Sequence, residues 1–467
     1  MSSLPLCQIA MSVTDLPRTH AWYTGVFGFV PCSGTNAFKG YIAEKVQGVP
    51  GARSSCWWLG DGQEFFQLEL FQFEQPRTRL LAHDWRPCDI GYSSLMLQVQ
   101  QFDETIARLQ VMGSEPLTAP QGEVGQRRVC VRDPEGVLLE LFESDPVADR
   151  GIAVNPGVPV MTVGVTVSVP DLEASLNYFR DVLGLVEVAD ELHLPEHEAL
   201  WGLAGAQSRR QVLRAGDALV ELAQYTDPVG RPQAEDYRIS DQGLLNIALG
   251  FRSKKVFKAV HKRCQDAGVK GNWRPLNMGA WNVVYVNDDQ GFSVELLQVQ
   301  PWYDGQMGFD ARRSSPSLAV DGLRNLTVEL AMNVPPEIVW QALTDHASMG
   351  KWWAQKHVTL IAEGAPDKNG IGAVRQMKGL GAVLEEEVVS WDAGTGYDYR
   401  LRKGAPVKDH LGSIRVLPMG QATLAQWRIQ FRPMIPGTGW VTQWFLRRLI
   451  SYVLGRLKRQ LESGAIA

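Results

Sequence analysis

The chain has 467 residues, 45% of them apolar and 21% charged. That is the composition of a folded protein too long for one core, and roughly 150 residues per domain gives about three. A formal charge of -5 with no lysine-arginine tract excludes the electrostatic footprint of a nucleic-acid binder. No stretch is apolar for long enough to span a bilayer, and the start Met1-Ser-Ser-Leu-Pro-Leu lacks a signal peptide's basic head and apolar run, so a cytosolic protein is expected. The cysteines Cys7, Cys32, Cys56, Cys88, Cys130 and Cys264 include no Cys-x-x-Cys pair and read as reduced, buried thiols.

Taken from the start, four segments share one opening: an alternating strand, a turn, then an amphipathic helix. The first runs Gln8-Ile-Ala-Met-Ser-Val-Thr-Asp15 into Leu16 to Gly28, and its nearest relative runs Gly164-Val-Thr-Val-Ser-Val-Pro-Asp171 into a helix with Leu172, Leu176, Phe179 and Leu183. Plainer copies begin at Ser94 and Asn246. Each copy closes on a strand with one acid among apolar neighbours: Glu69, Glu140, Glu221 and Glu295, the second after the turn Asp133-Pro-Glu-Gly136. A repeated unit of this kind is one supersecondary module.

Successive side chains of a strand point to opposite faces. Ile9, Met11 and Val13, like Val165, Val167 and Val169, make an apolar row that packs beneath the helix. The opposite row begins with Gln8, Ser94, Gly164 or Asn246, is smaller and more polar, and shares its face with the glutamates, as expected for strands lining a cleft. Adjacent aromatics on a strand divide between the faces, so Trp57/Trp58 and Phe65/Phe66 each offer one ring to the cleft, Trp57 and Phe66 being the candidates.

On Val13-Thr-Asp15-Leu16, Tyr23 and Phe27-Gly28-Phe29, on Asp171-Leu-Glu173, Tyr178-Phe179 and Leu183-Gly184-Leu185, and on the acid-bearing closing strands, the first 300 or so residues resemble two tandem vicinal oxygen chelate domains of the glyoxalase and bleomycin-resistance type. The resemblance implies an α+β fold with paired βαβββ modules, placed at 1–150 and 151–304. It also implies metal ligands on the first and closing strands: Gln8, Glu69, Ser94 and Glu140 in one domain, Gly164, Glu221, Asn246 and Glu295 in the other. None is histidine or cysteine, which transition metals favour. The expectation is therefore no firm cofactor, with a divalent metal on Gln8, Glu69 and Glu140 as the alternative. Without metal, a carboxylate pair in an apolar cleft serves acid-base chemistry, with Glu69 and Glu140 first and Glu221 and Glu295 next. His193 and His197, in a Leu-Pro-Glu segment, reach a cleft if that segment folds over it as a lid.

Residues 305–317 have linker composition. Beyond them Leu326 to Asn333 alternates as a strand, Val334-Pro-Pro-Glu opens a helix with proline in its first turn, and strands follow around 372–376, 382–390, 397–402, 413–417 and 422–431. Leu446, Leu449, Ile450, Val453, Leu457 and Leu461 then form the apolar stripe of a long final helix. With Pro336-Glu-Ile-Val-Trp340, Leu343-Thr-Asp345, Trp352-Trp353, Glu385 to Val389 and Trp391, this part, 318–467, resembles the START-like helix-grip fold of polyketide cyclase and dehydrase-like proteins. The resemblance implies a cavity for a hydrophobic ligand, here near Trp352, Trp353 and Trp427. Charges on alternate strand positions, such as Arg375, Glu385 and Glu387, read as the solvated sheet face, with one or two turned inward to orient a polar group of the ligand as the alternative.

The expected function is an enzyme acting on a hydrophobic, aromatic or polyketide-like small molecule as isomerase, cyclase or lyase. Sequestration of such a compound and metal-dependent glyoxalase- or dioxygenase-type catalysis are the alternatives. Neither nucleic acid nor membrane is expected as a partner, since the final helix's apolar stripe is taken up by its own sheet.

Overall fold

The computed structural model describes residues 4–82, 84–147, 157–189, 191–310, 324–346, 349–353, 357–379, 382–419 and 422–465. The chain divides into two compact units, Met1–Leu318 and Ala319–Ala467.

The first unit holds four modules. Module one comprises β1 (Leu6–Ser12), α1 (Leu16–Phe27), β2 (Val30–Lys39), α2 (Tyr41–Gln47), β3 (Arg53–Gly60) and β4 (Gln67–Gln75). Module two has β5 (Gly91–Val99), α3 (Phe102–Val111), β6 (Arg128–Arg132) and β7 (Leu138–Phe142). Module three has β8 (Val160–Ser168), α4 (Leu172–Leu176), β9 (Val186–Val188), β10 (Gln207–Ala215) and β11 (Ala218–Asp227). Module four has β12 (Gly243–Phe251), α5 (Lys254–Asp266), β13 (Lys270–Gly271), β14 (Leu276–Asn277), β15 (Trp281–Asn287) and β16 (Ser293–Val299). The local signals act as expected: Asp15 caps α1 by accepting from the Arg18 amide, Pro17 sits in the first turn, and Gly28 ends the helix at φ 78°. Ile9, Met11 and Val13 are fully buried beneath the helices.

Within each module the first and closing strands pair in parallel, β1 with β4, β5 with β7, β8 with β11 and β12 with β16. Between modules the pairing departs from chain order. The sheet order β13-β15-β16-β12-β1-β4-β3-β2, with β14 on β15, joins modules one and four, and β6-β7-β5-β8-β11-β10-β9 joins modules two and three. Glu69 and Glu140, expected in one cleft, therefore lie in different sheets. The reason is physical: the period-2 pattern specifies each strand's two faces, and all four first strands carry the same pattern, so periodicity alone does not select the partner. The Asp133 turn ties the sheets together, because Glu135 accepts from the Thr14 amide (2.9 Å), Thr19 Oγ1 (2.7 Å) and Gln242 Nε2 (2.7 Å).

The connector is expected at 305–317. Asp304–Met307 forms a short helix, α6, and Phe309 is buried in the first unit; residues 311–317 of that expectation lie outside the described residues. The second unit contains β17 (Arg324–Met332), α7 (Pro336–Thr344), β18 (His357–Ala362), β19 (Val374–Gly379), β20 (Ala382–Asp392), β21 (Gly396–Lys403), β22 (Val407–Met419), β23 (Ala422–Pro433) and α8 (Gly439–Glu462). Its sheet is antiparallel in the order β17-β23-β22-β21-β20-β19-β18. Ile450, Val453, Leu457 and Leu461 of α8 pack into its core as the stripe predicts. Among the described residues no helix is long and apolar enough to cross a membrane.

Candidate active site

The exchange of partners builds two acid pairs of opposite character. In the first sheet Ala10 of β1 faces Glu69 on one side and Asn246 on the other, while Ala248 of β12 faces Glu295 and Gln8. Gln8, Glu69, Asn246 and Glu295 thus converge about the β1–β12 seam, all buried. Each acid takes a hydrogen bond from the residue across its ladder: Trp58 Nε1 donates to Glu69 at 2.8 Å, and the Tyr285 hydroxyl donates to Glu295. No cation of the chain is hydrogen-bonded to either acid among the described residues. Burial, and for Glu69 the neighbouring Glu295, raise both pKa values well above the usual carboxylate range. Cys7 and Cys56 lie beside the pair, and their thiols are pushed up by burial and by the two acids.

The surroundings are apolar. Phe65 packs on Phe309 (4.6 Å between centroids), and Arg252, which pairs with Asp304 (2.5 and 2.8 Å), lies over the Phe65 ring. A Cβ at Gly308 would stand 2.6 Å from Trp58 and 2.7 Å from Gln67, so the chain after α6 lies directly on the site. Of the adjacent aromatics, Trp58 and Phe65 are the ones near the acids. Trp57, the expected cleft residue, meets His20 of α1 edge-on and belongs to the helix side, while Phe66 is fully buried without any polar role.

In the second sheet the acids are already neutralised. His193, carried by the segment between β9 and a short 3-10 turn (Pro195–Trp201), donates from Nδ1 to Glu221 (2.8 Å) and from Nε2 to Glu140 (2.5 Å). Burial opposes a charged ring, but the two carboxylates outweigh it and hold the His193 pKa above its ordinary value. Arg128 binds Glu140 through Nε (2.7 Å) and through a second, shorter contact, Trp201 Nε1 adds a bond at 3.1 Å, and Arg210 pairs Glu221 (2.7 Å) with Glu198 (2.6 Å). Burial raises Glu140 and Glu221, yet these cations bring both below the usual range. Three carboxylates thus face three cations, with an imidazolium between the acids. Ser94 is buried with its hydroxyl unpartnered, and Gly164 is required by close approach, since a Cβ there would stand 1.8 Å from the Leu219 carbonyl oxygen. His197 accepts from Arg128 (2.9 Å) and supports the segment rather than the acids.

Of the sequence candidates, the structure brings Gln8, Glu69, Asn246 and Glu295 together, and Ser94, Glu140 and Glu221 elsewhere. The set Gln8, Glu69 and Glu140 is not assembled, because Glu140 belongs to the other sheet. Trp58, Tyr285, Arg128 and Arg210 were missed by sequence reasoning; Trp58 and Tyr285 were findable as direct cross-strand neighbours of the acids once strand order is known. In the second unit Trp352, Trp353 and Trp427 are buried core side chains: Trp353 stacks on Trp427 (5.3 Å), whose Nε1 donates to Tyr399 (2.8 Å). Among the charges on alternate strand positions Arg375 is one that turns inward, fully buried and paired with Glu386 (2.8 Å) and Tyr397 (3.0 Å).

Modules paired through their first strands, with an acid on each closing strand, define a protein that binds or transforms small molecules in a cleft. The chain belongs to the Glyoxalase/Bleomycin resistance protein/Dioxygenase superfamily, whose model matches residues 6–141 and 162–296. Residues 324–462 match the model described as polyketide cyclase / dehydrase and lipid transport. Among solved structures, glyoxalase I from Zea mays is 18% identical over 64% of this chain and 93% of its own, with a TM-score of 0.43. A putative dioxygenase from Bacillus subtilis is 14% identical over 66% and 91%, with a TM-score of 0.45. A START superfamily protein from Mycobacterium smegmatis is 15% identical over 30% and 94%, with a TM-score of 0.25. No curated protein matches the chain.

Members of this superfamily commonly use a divalent metal. Among the described residues no group of three or more His, Cys, Asp or Glu is placed to hold one. The seam of the first sheet nonetheless offers an all-oxygen set in Gln8, Glu69, Asn246 and Glu295, and Gln8 Oε1 is a buried acceptor without a partner. That set fits a hard cation and not one that demands imidazole or thiolate. The second sheet does not fit any cation, because His193 already stands between its acids.

Proposed function

We propose that the chain is an enzyme that moves a proton on an apolar small molecule at the Glu69–Glu295 pair, of isomerase or lyase type, and that the Glu140–Glu221 pair is structural. The observation carrying this reading is the contrast between the pairs: one has raised pKa values and no cation of its own, the other is neutralised by His193, Arg128 and Arg210. Two carboxyls in one apolar site share a proton because both do not ionise together. One of the two carboxyls holds the shared proton and acts as the acid. The other, ionised and accepting from Trp58 if it is Glu69 or from Tyr285 if it is Glu295, acts as the base. Trp58 and Tyr285 fix the two carboxyls, and Phe65 and Phe309 keep water out and favour a flat or apolar substrate. Entry requires the chain around Phe309 to move, since Glu69 and Glu295 are only 4% and 6% exposed.

A second reading is favoured by the unpartnered Gln8 Oε1. Gln8, Glu69, Asn246 and Glu295 would hold a hard divalent cation, which would supply Lewis-acid polarisation of a substrate oxygen. In that state both glutamates are ionised, so the two readings differ in a measurable way.

Incubation of the full chain in D2O with a panel of apolar ketones and enones, read by mass spectrometry for deuterium beside the carbonyl, tests the proton-transfer reading. Glu69→Gln and Glu295→Gln should each slow exchange by about 10²–10⁴-fold, with elemental analysis of the same preparation reporting bound magnesium or manganese. Compounds that bind tightly without exchange would replace the enzyme with sequestration. Exchange that a chelator abolishes would favour the metal reading.

A further inference from the structure

The final helix carries a second apolar face that the core does not use. At 100° per residue, Ile450, Val453, Leu454, Leu457 and Leu461 form one stripe and are buried against the sheet of the second unit. Val441, Trp444, Phe445 and Tyr452 lie on the opposite side of the same helix and Trp440 on its flank, and they are 46%, 59%, 52%, 55% and 66% exposed. Met434 and Ile435, in the turn that leads into the helix, are exposed as well. A run of large side chains in water at i and i+4 spacing is more than the scattered exposure expected of a surface.

The charge around this face says what fits it. Of the helix's five basic residues, Arg447, Arg456 and Lys458 donate to backbone carbonyls of their own unit, while Arg448 and Arg459 remain for the exposed face, and the helix's one acid is its last residue. Arg448 lies over the Trp444 ring at 5.6 Å and Arg456 over Tyr452 at 6.0 Å, so cations and aromatic rings share one surface. Tryptophan and tyrosine settle at the headgroup level of a bilayer, and arginine beside them pairs with anionic lipid. A second copy docked through the same face would bring Arg448 and Arg459 against their own counterparts, which like-charge repulsion disfavours.

We propose that this face of α8 is a docking surface for an anionic bilayer, on which the protein lies without spanning it. The expectation that no membrane is a partner rested on the one stripe visible in sequence, and that stripe is indeed occupied; the surface assigned here is the other one. Apolar side chains enter the headgroup layer while Arg448 and Arg459 hold lipid phosphates and carboxylates, and the sheet side of the helix keeps its core contacts.

The test is sedimentation of the full-length protein with vesicles of phosphatidylcholine and phosphatidylserine at 7:3, against vesicles of phosphatidylcholine alone, at low and high salt. The expected result is binding to the anionic vesicles, at least tenfold weaker on neutral ones and weakened by salt, with tryptophan fluorescence quenched by brominated lipid. Trp440→Ser combined with Trp444→Ser, and separately Arg448→Glu combined with Arg459→Glu, should each reduce binding at least tenfold while circular dichroism stays unchanged, since these side chains lie outside the core. Failure of the wild-type protein to sediment with anionic vesicles overturns the proposal. So does binding that both double variants retain, or dimerisation in ultracentrifugation that the tryptophan variant abolishes without any lipid binding.

Discussion

His193→Ala removes the group that bridges Glu140 and Glu221. Before the substitution Arg128, Arg210 and His193 balance Glu140, Glu198 and Glu221; afterwards the buried set is one positive charge short. Breaking a buried ion pair by deleting one partner costs about 3–5 kcal/mol, because a charge is left without compensation. With a urea dependence of roughly 3 kcal/mol per molar for a unit of this size, the midpoint should fall by roughly 1–2 M. Hydrogen-deuterium exchange of peptides spanning β7 and β11 across a urea series reads this unit separately from the C-terminal one. The pH dependence follows from the directions of the shifts. His193 is raised, so its contribution is complete below its unfolded pKa and fades as pH climbs through the folded value. Glu140 and Glu221 are depressed, so theirs is present above the ordinary carboxylate value and fades as pH falls. The gap between wild type and variant should therefore be widest near neutrality and should narrow toward pH 4, where an unpaired carboxylate takes up a proton. A gap below about 1 kcal/mol at pH 7, the size of a surface pair, would refute the view that the imidazolium neutralises this site.

Gly164→Ala should prevent the first unit from folding, because the added carbon would meet the Leu219 carbonyl in the β8–β11 ladder at 1.8 Å. Gly268→Ala, where nothing lies within 4 Å and only φ +77° is strained, should cost about 1–2 kcal/mol; soluble yield and thermal unfolding distinguish the two. In the second unit Arg375→Ala should lose about 3–5 kcal/mol by stranding Glu386, whereas Arg375→Met together with Glu386→Leu should recover most of it. Calorimetry of that unit's transition checks the comparison.

The module, its cleft face and its four acids were legible in sequence because strand alternation and helix caps are local. Ile9, Met11 and Val13 lie under the helices as their spacing demands. Strand partnership was not legible, because β1, β5, β8 and β12 have interchangeable patterns and the choice is made by packing across a long stretch of chain. Glu69 meeting Glu295 is a product of that choice. Which ring of Trp57/Trp58 and Phe65/Phe66 faces the acids depends on strand phase, which a pair of adjacent aromatics leaves open. His193 was visible as a residue that could fold over a cleft, but its bond to two acids from different modules was not. Arg375 shows the reverse limit, since a charge at an alternating position looks solvated until Glu386 and Tyr397 are seen around it.

The pairing of β1 with β12 has a consequence for how this chain is made. Although β4 pairs one edge of β1 early, about 230 residues must leave the ribosome after β1 before β12 exists for the other, which at roughly 5–20 residues per second takes on the order of 10–50 s. Throughout that interval β1 offers one unpaired edge, the condition in which strands find the wrong neighbour. The inner modules, whose first strands β5 and β8 follow each other in sequence, close their sheet early. The outer sheet, with the unneutralised acid pair at its seam, is completed only when the fourth module arrives, so the birth of that site waits on nearly the whole first unit.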